Sequence, residues 1–134
     1  MKTAMYRSVT HGVQVTVEAR FVAEESQPDD GRWFWAYQIE ILNLGHEEVR
    51  LRTRHWRITD AAGRTQEVRG AGVVGEQPLL KPGEAFTYTS GCPLPTPSGI
   101  MVGSYRMEGA GGAAFDVAIP AFSLDSPDER RTLN

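Results

Sequence analysis

Val13, Val15, Val17, Ala19 and Phe21 alternate with Gln14, Thr16, Glu18 and Arg20. That period of two is the mark of a strand with one wet face, and it predicts a strand from Val13 to Val22. Glu24 to Arg32 gathers Ser26, Pro28, Asp29, Asp30 and Gly31 into a cluster of turn formers, hence a solvated loop. Trp33 to Leu42 then places Trp33, Trp35, Tyr37, Ile39 and Ile41 on one side. Aromatic and β-branched side chains suit a half-buried pleated surface, so this is the strongest strand of the chain. Asn43-Leu44-Gly45 closes it.

The next segment slips. Val49 and Leu51 put the apolar face on odd positions, whereas Trp56 and Ile58 put it on even ones. A regular strand cannot change faces midway, so a β-bulge is expected near Thr53 to His55. Asp60-Ala61-Ala62-Gly63 reads as a hairpin connection with Gly63 left-handed, leading into a strand from Arg64 to Arg69. Lys81-Pro82-Gly83-Glu84 has Pro and Gly where a type II turn needs them. Strands follow at Ala85 to Ser90, Ile100 to Met107 and Ala114 to Ile119, the last two joined by the turn Gly109 to Gly112.

No window of a dozen residues has apolar positions at helical spacing. The expected fold is all-β: seven or eight short antiparallel strands, forming a two-sheet sandwich or a small barrel with the same local signals. Trp35, Tyr37, Ile39, Trp56 and Tyr105 are the expected core residues. A chain of 134 residues makes one domain, here 1–124, and the polar run from Asp125 onward (125–134) reads as a frayed tail. The lone Cys92 excludes an internal disulfide and fits a reducing compartment. With no apolar stretch long enough for a secretory signal or a membrane span, the expectation is a cytoplasmic protein without a membrane partner. A net charge of −3 argues against nucleic acid as a partner.

Gly70-Ala71-Gly72-Val73-Val74-Gly75 matches G-x-G-x-x-G, whose glycines let backbone amides approach a pyrophosphate. In a dinucleotide fold that loop opens a helix, but Gln77-Pro78 and Pro82-Gly83 follow, so no helix starts and that fold is rejected. Two readings remain, glycines serving a bulged strand and tight turn, or a shallow anion cradle. Local charge keeps the second in play. From Val49 to Gly75 there are six arginines (Arg50, Arg52, Arg54, Arg57, Arg64, Arg69) against Asp60 and Glu67, a segment of +4 in a chain of −3. Period two puts Arg50, Arg52 and Arg54 on one face, where their forked guanidiniums suit phosphate or carboxylate. That face reads equally as a charged sheet surface that resists aggregation. His11, His46 and His55 lack metal-ligand spacing, and Cys92 lies between Gly91 and Pro93 without a nucleophile motif, so neither a metal nor a cofactor is expected.

Arg54 to Asp60, Val68 to Pro78, Tyr88 to Gly91 and Thr96 to Tyr105, taken together and in this order, resemble the bacterial ApaG family, over roughly Val13 to Leu124. The resemblance implies an immunoglobulin or fibronectin type III-like sandwich and an association with cobalt resistance and magnesium efflux. It also implies kinship with interaction domains of eukaryotic F-box receptors and of a DNA polymerase delta interacting protein. The family takes its name from a gene beside that of a diadenosine tetraphosphate hydrolase. Its glycine motif, with pyrophosphate as the implied ligand, maps onto Gly70, Gly72 and Gly75.

The expected function is a non-catalytic binding module that recognises a protein partner or presents a sheet edge, as a monomer or weak homodimer. The alternative is weak phosphate, pyrophosphate or nucleotide binding at Gly70, Gly72, Val73, Val74 and Gly75 with Arg54, Arg57 and Arg69. A lesser alternative is a nucleoside polyphosphate hydrolase built around His55 beside Cys92 or an acid.

Overall fold

The alternation seen in the sequence becomes nine strands in a computed structural model that describes residues 4–128. They are β1 (Met5–Thr10), β2 (Val13–Phe21), β3 (Trp33–Asn43), β4 (Val49–Asp60), β5 (Thr65–Ala71), β6 (Leu79–Leu80), β7 (Ala85–Leu94), β8 (Ser98–Gly109) and β9 (Ala114–Asp125). Every pairing between these strands is antiparallel. One sheet runs β1-β2-β3-β7, and the other runs β5-β4-β8-β9 with the short β6 beside the start of β4. Together they form the expected sandwich.

The core is the inner face of both sheets. Val13, Val15 and Val17 of β2, Trp35, Tyr37, Ile39 and Ile41 of β3, and Trp56 and Ile58 of β4 are all buried, as is Tyr105 of β8. Tyr37, Trp56 and Phe122 bridge the sheets as a ring cluster with centroids 5.6 to 5.9 Å apart. Each such pair contributes about 0.5–1.5 kcal/mol beyond the area it buries. No helix among the described residues is long and apolar enough to cross a membrane.

The count exceeds expectation because β1 and β6 carry weak signals. β1 is an edge strand whose residues alternate only between exposed and half-buried, so no apolar face announces it. It joins β2 through His11 and Gly12, both at positive φ (48° and 76°), the geometry of a two-residue hairpin turn. β6 has two residues. The expected turns form, with Gly63 and Gly83 each at φ 84°. β3, β7, β8 and β9 extend past their expected limits, whereas β2 stops at Phe21, one residue short of Val22, and β5 starts at Thr65 rather than Arg64. β9 passes Ile119 because its pairing with β8 slips between Met101 and Gly103, opposite Pro120-Ala121. That bulge moves the buried positions from Val117 and Ile119 to Phe122 and Leu124.

Two expectations need correction here. The bulge in β4 lies at Arg52, where the pairing jumps from Leu51 opposite Met107 to Thr53 opposite Arg106, one residue before the expected segment. The chain from Asp125 is also not frayed where the structure describes it. Asp125 ends β9 and its carbonyl accepts from Trp35 Nε1 at 2.8 Å, buried Ser126 donates to the Pro97 carbonyl at 2.6 Å, and Asp128 accepts from Trp33 Nε1 at 2.8 Å. Two indole donors that would otherwise lack partners hold the segment down. The rest of the expected tail, 129–134, lies outside the described residues.

Candidate functional site

The bulge at Arg52 decides where the arginines of β4 point. After it, even positions face the core, so Arg54 stands on the same side as Trp56 and Ile58, opposite Gly70 on β5 and Tyr105 on β8. Arg50, Arg52 and Arg54 therefore do not share a face, because the extra residue reverses parity between them. Arg52 Nη2 reaches Glu108 at 3.2 Å, and Arg64 pairs with Asp60 at 3.1 Å.

Arg54 instead braces the glycine loop. It runs over Gly70, where a Cβ would come within 2.9 Å of its guanidinium, and its Nη1 donates to the carbonyls of Ala71 (3.2 Å) and Gly72 (2.8 Å). Gly72 has φ 65°, its N–H donates to the Arg52 carbonyl at 2.8 Å, and a Cβ there would sit 2.3 Å from the Glu76 carbonyl oxygen. Val73 and Glu76 exchange backbone hydrogen bonds of 2.8 and 2.9 Å around Val74 and Gly75, whose φ values are 44° and 81°. This is a tight hairpin turn with both central residues left-handed. Gly72 and Gly75 thus have a backbone reason, Gly70 leaves room for the Arg54 guanidinium, and the amides of Gly72, Val73 and Glu76 are spent on the protein itself. Gly72 and Val73 are buried, and Val74 stands exposed at the tip.

The outer face of the second sheet collects different side chains. Register places His55 beside Arg69, Arg57 beside Glu67, and Arg106 between Thr53 and Asp116. An open depression of about 520 Å³ forms among Thr53, His55, Arg69, Ser104, Arg106 and Asp116, with Arg54 and Gly70 at its edge. Glu67 accepts from His55 Nε2 at 3.0 Å and lies 3.9 Å from Arg69, while Asp116 holds Arg106 at 3.2 Å. Exposed Ile100 and Val102 lie on this face next to Thr59 and Arg57.

Of the residues singled out from the sequence, Arg54, Arg69 and Gly70 meet at the depression, whereas Gly72, Val73, Val74 and Gly75 belong to the turn. Arg57 lies farther along the outer face, exposed. The expected neighbourhood of His55 and Cys92 does not form. Cys92 is buried on the inner face of the other sheet, its thiol pushed up by burial to about 11, and the acid beside His55 is Glu67. Arg106 and Ser104 were not singled out; their outward parity, opposite buried Tyr105 and Met107, was readable, but their apposition to β4 was not.

The ApaG domain model matches residues 23–109. The chain belongs to the ApaG family. It is 64% identical over 130 residues to Protein ApaG of Bradyrhizobium sp. (strain ORS 278), covering 97% of this chain and 100% of that protein. Against Protein ApaG of Rhodospirillum centenum the identity is 63%, with the same coverage of each chain. The crystal structure of an ApaA protein from Bordetella pertussis superposes with a TM-score of 0.83 at 49% identity, covering 90% of this chain and 95% of that one.

Proposed function

We propose that this ApaG-family protein is a non-catalytic binding module that recognises an acidic protein surface with the outer face of its β5-β4-β8-β9 sheet. The observation that carries this reading is the open depression bordered by Arg69, Arg106 and His55 and continued by exposed Arg57, Ile100 and Val102. Forked guanidiniums give a carboxylate-bearing partner orientation, and a small apolar spot beside them gives it an anchor. Glu67 and Asp116 hold two of the cations in place, and Arg57 has no acidic partner among the described residues. A surface so open keeps its water, which suits recognition better than bond-making chemistry.

A photo-crosslinking residue at Val102, compared with one at Gln38 on the opposite sheet, tests this in the source cells. The expected result is a partner captured only from Val102, lost in Arg69→Glu/Arg106→Glu and weakened by added salt. Equal capture from both positions, or capture indifferent to charge reversal, would overturn the reading.

A second reading has its own support: Arg69 and Arg106 face one depression with the hydroxyls of Thr53 and Ser104, and the Val74 and Gly75 amides have no partner within the turn's exchanged pair. Phosphate or pyrophosphate bound there would be wet and weakly held, about 0.1–1 mM. Amide shifts that saturate during titration with pyrophosphate and ATP, at the depression or at Gly70 to Gly75, support it; diffuse shifts at several millimolar, about ten times that affinity, refute it.

A further inference from the structure

The four edges of the sandwich are not equally protected. β1 carries Arg7 and is backed by β9, with Ser8 Oγ donating to the Ala118 carbonyl at 3.1 Å and the Ala118 amide donating to Thr10 Oγ1 at 3.2 Å. β5 carries Glu67 and Arg69, and β9 carries Asp116 and a bulge at Pro120-Ala121. Charges and bulges of this kind keep an edge from pairing with other chains. β7 has neither: Ala85-Phe86-Thr87-Tyr88-Thr89-Ser90-Gly91-Cys92-Pro93-Leu94 contains no charged residue, pairs only with β3, and holds unbroken register along that pairing.

Which backbone groups β7 leaves free follows from parity. Asn43 N–H donates to the Glu84 carbonyl, while the Phe34 carbonyl turns the other way to accept from Val22. Odd residues of β3 therefore bond to even residues of β7, and Ala85, Thr87, Thr89, Gly91 and Pro93 direct their backbone away from the sheet. Among the described residues no neighbour takes up the amides of Ala85, Thr87, Thr89 or Gly91, and all four residues are exposed. Pro93, the one residue without an N–H, falls on this outward side, where its loss breaks no bond to β3.

These groups complement a copy of themselves. In an antiparallel pair centred on Thr89, Thr89 faces Thr89 of the second copy, Thr87 faces Gly91, and Ala85 faces Pro93. In that register each of the four free donors meets an outward carbonyl, and the missing donor of Pro93 leaves only the Ala85 carbonyl open. Inward, Tyr88 lies opposite Ser90 and Phe86 opposite Cys92; outward, only Thr, Gly, Ala and Pro meet. No like charges oppose one another, and a Thr pair at the two-fold is a favourable cross-strand contact. We propose that β7 is a self-association edge, joining two copies of this chain through antiparallel β7 pairing into one continuous sheet. The surface lies on the sheet opposite the arginine face, so either idea can fail without the other.

Sedimentation equilibrium from about 5 µM to about 1 mM should show a monomer–dimer equilibrium in that range. The amides of Thr87, Thr89 and Gly91 should exchange with solvent quickly when dilute and at least about tenfold more slowly when concentrated, as ladder hydrogen bonds form. Thr89→Lys brings two ammonium groups together at the two-fold and should weaken dimerisation at least about tenfold. Thr89→Pro removes a donor that β3 does not use and should do the same, which covers the case that one variant folds poorly by circular dichroism. A chain monomeric throughout the range overturns the proposal. So does a dimer whose three amides stay fast, or one that both variants leave intact and Arg69→Glu/Arg106→Glu dissolves.

Discussion

Tyr105→Phe removes one hydroxyl from a side chain that is fully enclosed, at 0% exposure. Its partner is the hydroxyl of Tyr88, itself 7% exposed, and the two hydrogen bond across the interior between β8 and β7. Ring area is unchanged, so the effect isolates the polar pair. Truncating Tyr105 strands the Tyr88 hydroxyl in a dry interior, and an unsatisfied buried hydroxyl costs about 1–3 kcal/mol. Tyr88→Phe strands the deeper Tyr105 hydroxyl and should cost at least as much. The double variant removes both polar groups together and should return to within about 1 kcal/mol of the parent, because no donor or acceptor is left wanting. The coupling energy from the cycle should then be about 1–3 kcal/mol, read from urea midpoints at unchanged m. Additive losses, or single variants costing under about 0.5 kcal/mol, would mean that water or another group satisfies the stranded hydroxyl, and would refute a dry pair.

Gly72→Ala puts a Cβ 2.3 Å from the Glu76 carbonyl at φ 65°, and urea titration should show a loss of about 2 kcal/mol or more whether or not an anion is present. Val74 is β-branched at φ 44°, so Val74→Asn should raise the urea midpoint by about 1 kcal/mol of stability. Burial holds the Cys92 thiol at about 11 and pushes the Tyr88 and Tyr105 hydroxyls up as well, so the unfolded chain gives up these protons first. Stability should therefore be full below about pH 9, fall as pH rises past it, and fall more steeply past about pH 10; Cys92→Ala should abolish the first part of the decline in pH-dependent melting.

Alternation and turn chemistry act within a few residues, and these made the β class and the turns at Gly63 and Gly83 legible before any pairing was known, while leaving a sandwich and a small barrel equally open. The buried faces of β2 and β3 follow from the same pleat. A parity slip revealed the bulge in β4 but placed it a residue late, since the apolar pattern brackets Arg52 to His55 without saying which residue is extra. The same kind of slip after Ile119 hid half of β9, because Pro120-Ala121 break the alternation before Phe122 and Leu124 resume it. At the candidate site, Arg69 and Gly70 were legible as charge and backbone freedom. Arg106, Ser104 and Asp116 were not, for they reach the depression only because β8 lies beside β4 and β9 beside β8. Arg54 became a brace through the single inserted residue at Arg52, and β7 became a free edge because no strand follows it in its sheet. Which face a side chain takes is written in its immediate neighbours, whereas which strand lies alongside, and which lies alongside nothing, is settled by the packing of the two sheets over segments far apart in the chain.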